Sequence, residues 1–476
     1  MRRSVGTHNR GIEVMAKYKI SRALIGALIV LVSTAALAVP AWAQTTVRQL
    51  SLQQAIELAL ANNEQIGIAD ASVDQAKGAI WEAKSGALPH LTGYAEYKRN
   101  LTKPTTEVDY FSALTPLMLA NGLPPIGPAE QELAYDNEWL FNLHLEQALY
   151  TCGRLGNAIR LARAYEDLAH KGRVRVGKDV VNQTEQAYLL VLLAQQSVEI
   201  NRQALEQTIS RRDDIKAKRD RGLVSDYELM AAQTEVAKLR PEVLNAERNY
   251  NTAMLALKLQ MGLALNERIA LTDELAQLPL ELSLQESVDE ALAFRDEIGM
   301  LRSQIDAKRY ESRIYRAGFL PVLSAFGDVS YASQLNDDFW PKEEADEFKD
   351  FVSVGVGLAW PIFDGMESWA QMRQAKAQVR SSELSLSQAS RGIELEVTSL
   401  YQELQNIDQE IQARKQTVAL AQKTYELAEI RFNSGLSTQL EVSDALLNLT
   451  ATRVALAEAI FRHALTRTNL LRAMGR

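Results

Sequence analysis

The strongest constraint on what this chain can fold into is that it is written twice. The 41 residues from Ser51, SLQQAIELALANNEQIGIADASVDQAKGAIWEAKSGALPHL, return without a gap from Ser283 as SLQESVDEALAFRDEIGMLRSQIDAKRYESRIYRAGFLPVL, with 13 identities. Further on the register changes by 19 residues and then holds. RGLVSDYEL from Arg221 matches SGLSTQLEV from Ser434, and QMG ending at Gly262 matches AMG ending at Gly475. Repetition at this scale means that one supersecondary unit is built twice. The first copy spans 44–262, a linker 263–282, and the second copy 283–476. The copies differ mainly in the loop between Tyr97 and Trp139, which is longer and Pro-rich in the first.

Each copy has the same order: a helical stretch, two strand-like runs, a very long helix, a break and a return helix. From Gly153 to Gly222 and from Met366 to Gly435 the chain runs 69 positions without proline. At 1.5 Å per residue a continuous helix over either run, about 153–221 and 366–434, is roughly 100 Å long. In the second, Val397, Leu404, Ile411, Val418, Tyr425 and Phe432 recur every seven residues, with Ile393, Leu400 and Ile407 in the complementary register. That is a coiled-coil seam. The first-copy seam, Val180, Ala187, Val191, Val198 and Leu205, is weaker and ends in Arg212 and Arg219.

The strand-like runs show period-two alternation. Trp139, Phe141, Leu143 and Leu145 alternate with Leu140, Asn142, His144 and Glu146, and Val352, Val354, Val356, Leu358 and Trp360 alternate with small residues. The four strands fall at about 91–99, 138–147, 323–331 and 351–360. Runs of about ten such residues edged by aromatics, here Trp139, Tyr150, Trp360 and Phe363, suit strands of an outer-membrane barrel; the other reading of any single run is a soluble sandwich. Four strands cannot close a channel, and an open edge is not tolerated in lipid. Three copies would supply twelve strands, within the range of known barrels.

Lys17, Lys19 and Arg22, the apolar run from Ala23 to Val39 and AWA before Gln44 read as an export signal over 1–43. Met15 is an alternative start, since the residues before it resemble no signal head. Of 52 basic and 60 acidic residues, six and one lie in that segment, so the remainder carries a net charge of −13. That balance argues against nucleic acid. No later run of eighteen apolar residues offers a transmembrane helix. The single cysteine, Cys152, excludes an intrachain disulfide and reads as a small buried hydrophobe, with a reactive or interchain thiol as the other reading. The five histidines lack metal-ligand spacing, and no nucleophile elbow or phosphate loop occurs. No cofactor or metal is implied.

This plan resembles the TolC family of outer-membrane efflux and secretion channels. The resemblance rests on the duplication, on LP before each first strand, on Tyr150 and FDG (Phe363 to Gly365) after each second strand, and on GL followed by a capped helix at each tip. It covers essentially the whole chain after the signal. It implies a mixed, mainly α fold that is completed as a homotrimer: a 12-stranded β-barrel in outer-membrane lipid and a 12-helix tunnel across the periplasm. The tunnel's far end would dock on a periplasmic adaptor and, through it, on an inner-membrane transporter of an efflux pump or type I secretion system.

The two helical tips carry the candidate site. Gly222 and Gly435 can take the left-handed conformation that ends a helix. Ser225 with Glu228, and Thr438 with Glu441, spell S/T-x-x-E capping boxes for the next helix. Leu223 and Leu436 offer an apolar knob, and the resemblance assigns Gly222, Leu223, Gly435 and Leu436 to adaptor contact. Glu441 and Asp444, three apart, share a helical face. The resemblance makes them, with Glu228 in the matching first-copy place, an acidic aperture that holds cations. Their other reading is ordinary helix-end polarity, worth about 0.3–1 kcal/mol. Where the family's gate can be latched by a tyrosine and an arginine, this chain has Phe432 and Ser437, so Phe432 would hold the closed state by packing in the seam. The competing function is an exported coiled-coil scaffold or adhesin without a pore; an enzyme ranks behind both.

Overall fold

The computed structural model describes residues 48–336, 338–341 and 348–476, and the signal-like segment 1–43 lies outside the described residues. The chain divides into two units. In the smaller, β1 (Arg48–Leu50) pairs in parallel with β6 (Ile269–Leu271), and Arg48 lies 3.5 Å from Glu267. The stretch that reads as a plain linker thus contains a strand, three residues too short to leave a periodic signature.

The larger unit holds everything else. Its first copy contains helices α1 (Leu52–Asn62) and α2 (Glu64–Ser85), strands β2 (His90–Arg99) and β5 (Asn137–Tyr150), and helices α4 (Arg154–Asp220) and α5 (Asp226–Gln260). The second contains α6 (Leu284–Phe294), α7 (Asp296–Ala317), β7 (Val322–Leu335), β8 (Lys349–Ala359), α8 (Glu367–Asn433) and α9 (Gln439–Ala473). Residues α1 and α6 begin with, Leu52 and Leu284, stand 232 apart, as do the starts of α2 and α7. The starts of α4 and α8, Arg154 and Glu367, stand 213 apart, as do those of α5 and α9. Paired helices have equal lengths, 67 residues for α4 and α8 and 35 for α5 and α9. At 1.5 Å per residue α4 and α8 are each about 100 Å long.

The long helix of each copy packs on its own return helix and its own short helices. Val397, Leu404, Ile411 and Tyr425 of α8 are buried, with Val418 and Phe432 half-buried. Ile393, Val397 and Leu404 join Val288, Ala291 and Ile298 of α6 and α7 and Leu470, Ala473 and Met474 of α9 in one cluster. Each aliphatic side chain so covered contributes about 1.5–3 kcal/mol. The QMG and AMG motifs close each copy on itself. Gly262, at φ +66°, sits against the end of α1, where an added Cβ would lie 2.8 Å from Asn62 Cβ. Gly475, at φ +86°, sits likewise against Phe294 at the end of α6, 2.7 Å from its carbonyl oxygen.

The first-copy loop carries its own structure: β3 (Thr105–Val108), helix α3 (Thr115–Ala120) and β4 (Ala129–Glu132), with β3 and β4 antiparallel. The main sheet has the order β2-β5-β7-β8, all antiparallel. Its register brings the apolar alternations onto one face. Leu91 opposes Leu145, Leu143 opposes Val329, which opposes Val352, and Leu323 opposes Leu358. That face is open, with Val354 at 85% exposure. The opposite face is polar and carries His144, whose Nδ1 lies 2.7 Å from Asp328 Oδ1 across β5 and β7. Rings of Tyr97, Trp139, Phe339 and Trp340 gather at one end of the strands, while Trp360, Ile362 and Phe363 stand exposed at the other. Strands β2 and β8 have no neighbour on their outer edges among the described residues.

Each second strand enters its long helix through two successive left-handed residues, Cys152 (φ +50°) with Gly153 (+84°) and Gly365 (+67°) with Met366 (+74°). Cys152 therefore holds the place that Gly365 takes in the second copy. It is half-buried, not buried, because the turn turns its thiol toward the Pro321 carbonyl oxygen, 3.2 Å away.

Candidate functional site

At both tips glycine ends the long helix. Gly222 (φ +77°) donates its N–H to Arg219 O at 2.8 Å and Leu223 N–H donates to Lys218 O at 3.0 Å. Gly435 (φ +73°) donates to Phe432 O at 3.0 Å and Leu436 to Arg431 O at 2.8 Å. This two-bond pattern is the Schellman motif, open to glycine because it has no Cβ penalty there. The turn leaves Leu223 70% and Leu436 72% exposed.

The return helices start on Ser225 and Thr438, whose hydroxyls accept the N–H of Glu228 and Glu441, each at 3.4 Å. Only this half of the expected capping box forms at the tips; both halves form at Ser283 with Glu286, at the start of α6. The Glu441 carboxylate lies 4.0 Å from Arg431 in the preceding helix, an exposed pair of the kind that contributes little. At the first tip Arg219 bonds Asp226 at 2.7 Å, and that bond holds the guanidinium pKa above its ordinary value. Glu228 is half-buried.

Asp444 lies one turn beyond Glu441, exposed, and has no hydrogen-bond or ion-pair partner among the described residues. Phe432 packs on the cluster of Ala421, Tyr425, Val442, Leu446 and Leu449 that joins α8 to α9. Lys218 of α4 covers its ring at 5.1 Å, and Ser437 Oγ donates to Ala428 O at 3.5 Å.

One polar group at this end was not legible as such. Arg211 of α4 is 7% exposed, and its Nη2 donates to Tyr425 Oη at 2.7 Å; that hydroxyl donates to Glu429 Oε1 at 3.3 Å. Burial raises the Tyr425 pKa. Arg212 and Arg219, by contrast, are not buried. Along α4 the buried stripe that runs through Val191 and Val198 continues at Ala204 and Arg211, one residue short of the heptad register, so the seven-residue spacing pointed to Arg212 and not to Arg211.

The described helices include none long and apolar enough to cross a membrane, and the described residues include no cluster that could hold a metal. A direct comparison with curated protein sequences gives no match. Solved structures are similar in fold. The Campylobacter jejuni CmeC outer membrane channel aligns with a TM-score of 0.71 at 18% identity, over 89% of this chain and 85% of its own. The Vibrio cholerae outer membrane protein VceC aligns at 0.68 and 19%, over 89% and 96%. The Neisseria gonorrhoeae MtrE outer membrane channel, solved in an open state, aligns at 0.68 and 17%, over 89% and 88%. The sequence itself matches the family described as outer membrane efflux protein over residues 55–263 and 287–476, the greater part of both copies. This chain belongs to the outer membrane efflux protein family.

Proposed function

We propose that three copies of this chain form the exit duct of a tripartite efflux pump or a type I secretion system. Twelve strands would close a barrel through the outer membrane and twelve long helices would continue it as a tunnel through the periplasm. The observation that carries this reading is the sheet: four strands, one continuous apolar face open to the surroundings, one polar face, and two edges unpaired among the described residues. In lipid the apolar face is satisfied, but each unpaired edge group costs several kcal/mol until another strand covers it. Aromatic rings at both strand ends suit the two membrane interfaces.

Substrates would pass passively, driven by an inner-membrane transporter through a periplasmic adaptor that meets the knobs of Gly222, Leu223, Gly435 and Leu436. Asp444 from three chains, with Glu441 and Glu228 near it, would form a cation-holding aperture at the tip, and Phe432 with Ser437 would pack the closed state. Asp444 suits that role best, being exposed, unpartnered and free of capping duty. The Neisseria neighbour is described in an open state, which supports a channel that opens. A scaffold or adhesin without a pore gives no use for an apolar sheet face.

The test is reconstitution. The processed protein, extracted in detergent, is expected to run as a trimer by light scattering and to give discrete conductance steps in planar bilayers. A water-soluble monomer without conductance would end the proposal.

A further inference from the structure

Helices α2, α4, α7 and α8 form a row in which α4 touches both α2 and α7, and α7 touches α8. A second layer, α1 on α4 and α6 on α8, covers one face of this row. On that face Tyr188 of α4 also donates its hydroxyl to Asp273 of the linker, at 2.9 Å. Gly172 lies sixteen residues before Tyr188, about 160° round the helix at 3.6 residues per turn. It therefore belongs to the opposite, uncovered face of α4. There a groove of about 560 Å³ opens between α2 and α7. Leu168, Gly172 and Val176 of α4 make its floor, and Ile68 and Ala69 of α2 face Met300 of α7 across it. Ile68 stands 67% exposed on its wall. The missing side chain at Gly172 deepens the floor, since a Cβ there would come within 3.9 Å of Met300 Cε.

The charges on the rim are already matched. Arg173 pairs with Asp70 at 2.9 Å, Arg175 with Glu297 at 3.2 Å, and Asp179 with Arg472 at 2.8 Å. An ion entering the groove would lose water and find its counter-charges taken, whereas an uncharged apolar body loses nothing there. The volume is that of sites for drug-sized molecules. Comparison of the two copies shows that packing alone does not require an apolar floor. Residues of α4 buried against its neighbours keep their character in α8: Ala162 matches Ala375, Val180 matches Ile393, and Val191 matches Leu404, all of them buried. The floor changes instead. Leu168, Ala169 and Gly172 have Ser381, Ser382 and Ser385 as their counterparts, so one copy carries an apolar groove where the other carries a strip of serines.

We propose that the groove over Gly172 is a resting site for uncharged, apolar small molecules on their way through the duct, one site per chain. This inference rests on the duct reading above and names a substrate class for it. A duct must keep the layer of α1, α6 and the linker outside, because on the inner face that layer would fill the passage; the groove then faces the lumen. A site on such a path must both admit its cargo and release it. An open apolar surface that offers no hydrogen-bond anchor does both.

Thiol protection in the full chain, reconstituted in lipid nanodiscs with Cys152→Ser, tests it. Ser72→Cys sets a thiol on the rim of the groove, and Gln304→Cys sets one at the matching place on α7, where it does not line the groove. The probe is N-phenyl-1-naphthylamine, uncharged and apolar, and the label is a charged, water-soluble maleimide. At ten times its dissociation constant the probe is expected to slow labelling of Ser72→Cys about tenfold and to leave Gln304→Cys unchanged. Gly172→Leu, which fills the groove, is expected to abolish the protection. So is the triple variant Leu168→Ser, Ala169→Ser, Gly172→Ser, which gives the floor the residues of the second copy and adds little bulk; conductance of each variant in planar bilayers shows that its fold survives. Equal protection at both thiols, protection that persists in either conducting variant, or none in a protein that conducts overturns the site and leaves the channel standing. A protein that neither trimerises nor conducts overturns the duct reading, and the site falls with it.

Discussion

Tyr425→Phe tests how the buried guanidinium of Arg211 is tolerated between α4 and α8. Arg211 has one short hydrogen bond, to Tyr425 at 2.7 Å; Glu429 is 3.9 Å away and Nη1 has no partner. Deleting the phenol hydroxyl removes that bond without changing volume. A hydrogen bond to a charged group is worth about 1.5–3 kcal/mol net. Glu429, about half exposed, can move closer and recover part of it, which puts the cost at about 1.5–2 kcal/mol. At 1.4 kcal/mol per tenfold, amides of α8 around Tyr425 and of α4 around Arg211 are expected to exchange with solvent deuterium roughly 10–30 times faster, while helices away from the tip are unchanged. Arg211→Met behaves differently, since replacing a buried charge by an apolar side chain of similar size is often neutral or stabilising and Tyr425 keeps Glu429 as acceptor. The double variant is then expected to match Arg211→Met alone. If Arg211→Met accelerated exchange as much as Tyr425→Phe, the reasoning from buried charge would be refuted and the network would be a net source of stability.

Asp444→Ala is expected to weaken block of conductance by divalent cations in planar bilayers; unchanged block would remove Asp444 from the aperture. His463 is fully buried, and burial lowers its pKa below 6.5 despite Asp408 at 3.1 Å. The unfolded chain then binds the proton more readily than the folded one, so its contribution is intact above about pH 6.5 and is lost as pH falls through and below that value. Thermal melts followed by circular dichroism from pH 7 to 5 are expected to show less acid destabilisation in His463→Gln than in the native chain, and parallel slopes would exclude His463 as the cause. Gly435→Ala meets nothing within 4 Å and carries only the left-handed penalty of about 1–2 kcal/mol. Gly262→Ala adds overlap with Asn62 Cβ and its carbonyl, so its melting point is expected to fall further; equal losses would show that the chain end is not seated on α1.

What could be seen in the sequence was whatever repeats or alternates. The 41-residue stretch repeats without a gap because its elements serve the same packing twice, and the equal lengths of α4 and α8 reflect the same duplication beyond the shift in register. Val397, Leu404 and Ile411 announced their burial through spacing alone, as Trp139, Phe141 and Leu143 announced a common face. What could not be seen depends on competition or accumulated geometry. Glu441 satisfies a capping motif by spelling, yet only the Thr438 half of that box forms, and its carboxylate lies 4.0 Å from Arg431, ten residues earlier and brought close by the Gly435 turn. Arg211 enters the interface because the buried stripe of α4 steps back by one residue from the heptad register between Val198 and Ala204. The pairing of β1 with β6 joins three-residue segments more than 200 residues apart, too short for any period to show.

The two bare borders of the sheet also bear on how such a chain can be delivered. Backbone groups along β2 and β8 will pair with any strand they meet, including the wrong one. On the proposed assembly, a lone polypeptide in transit would have every reason to keep these ribbons unformed or shielded until its sisters are at hand. Folding of the membrane portion and meeting of the chains would then be a single event, with a rate that climbs steeply with local supply and a stability that has no meaning for one chain by itself.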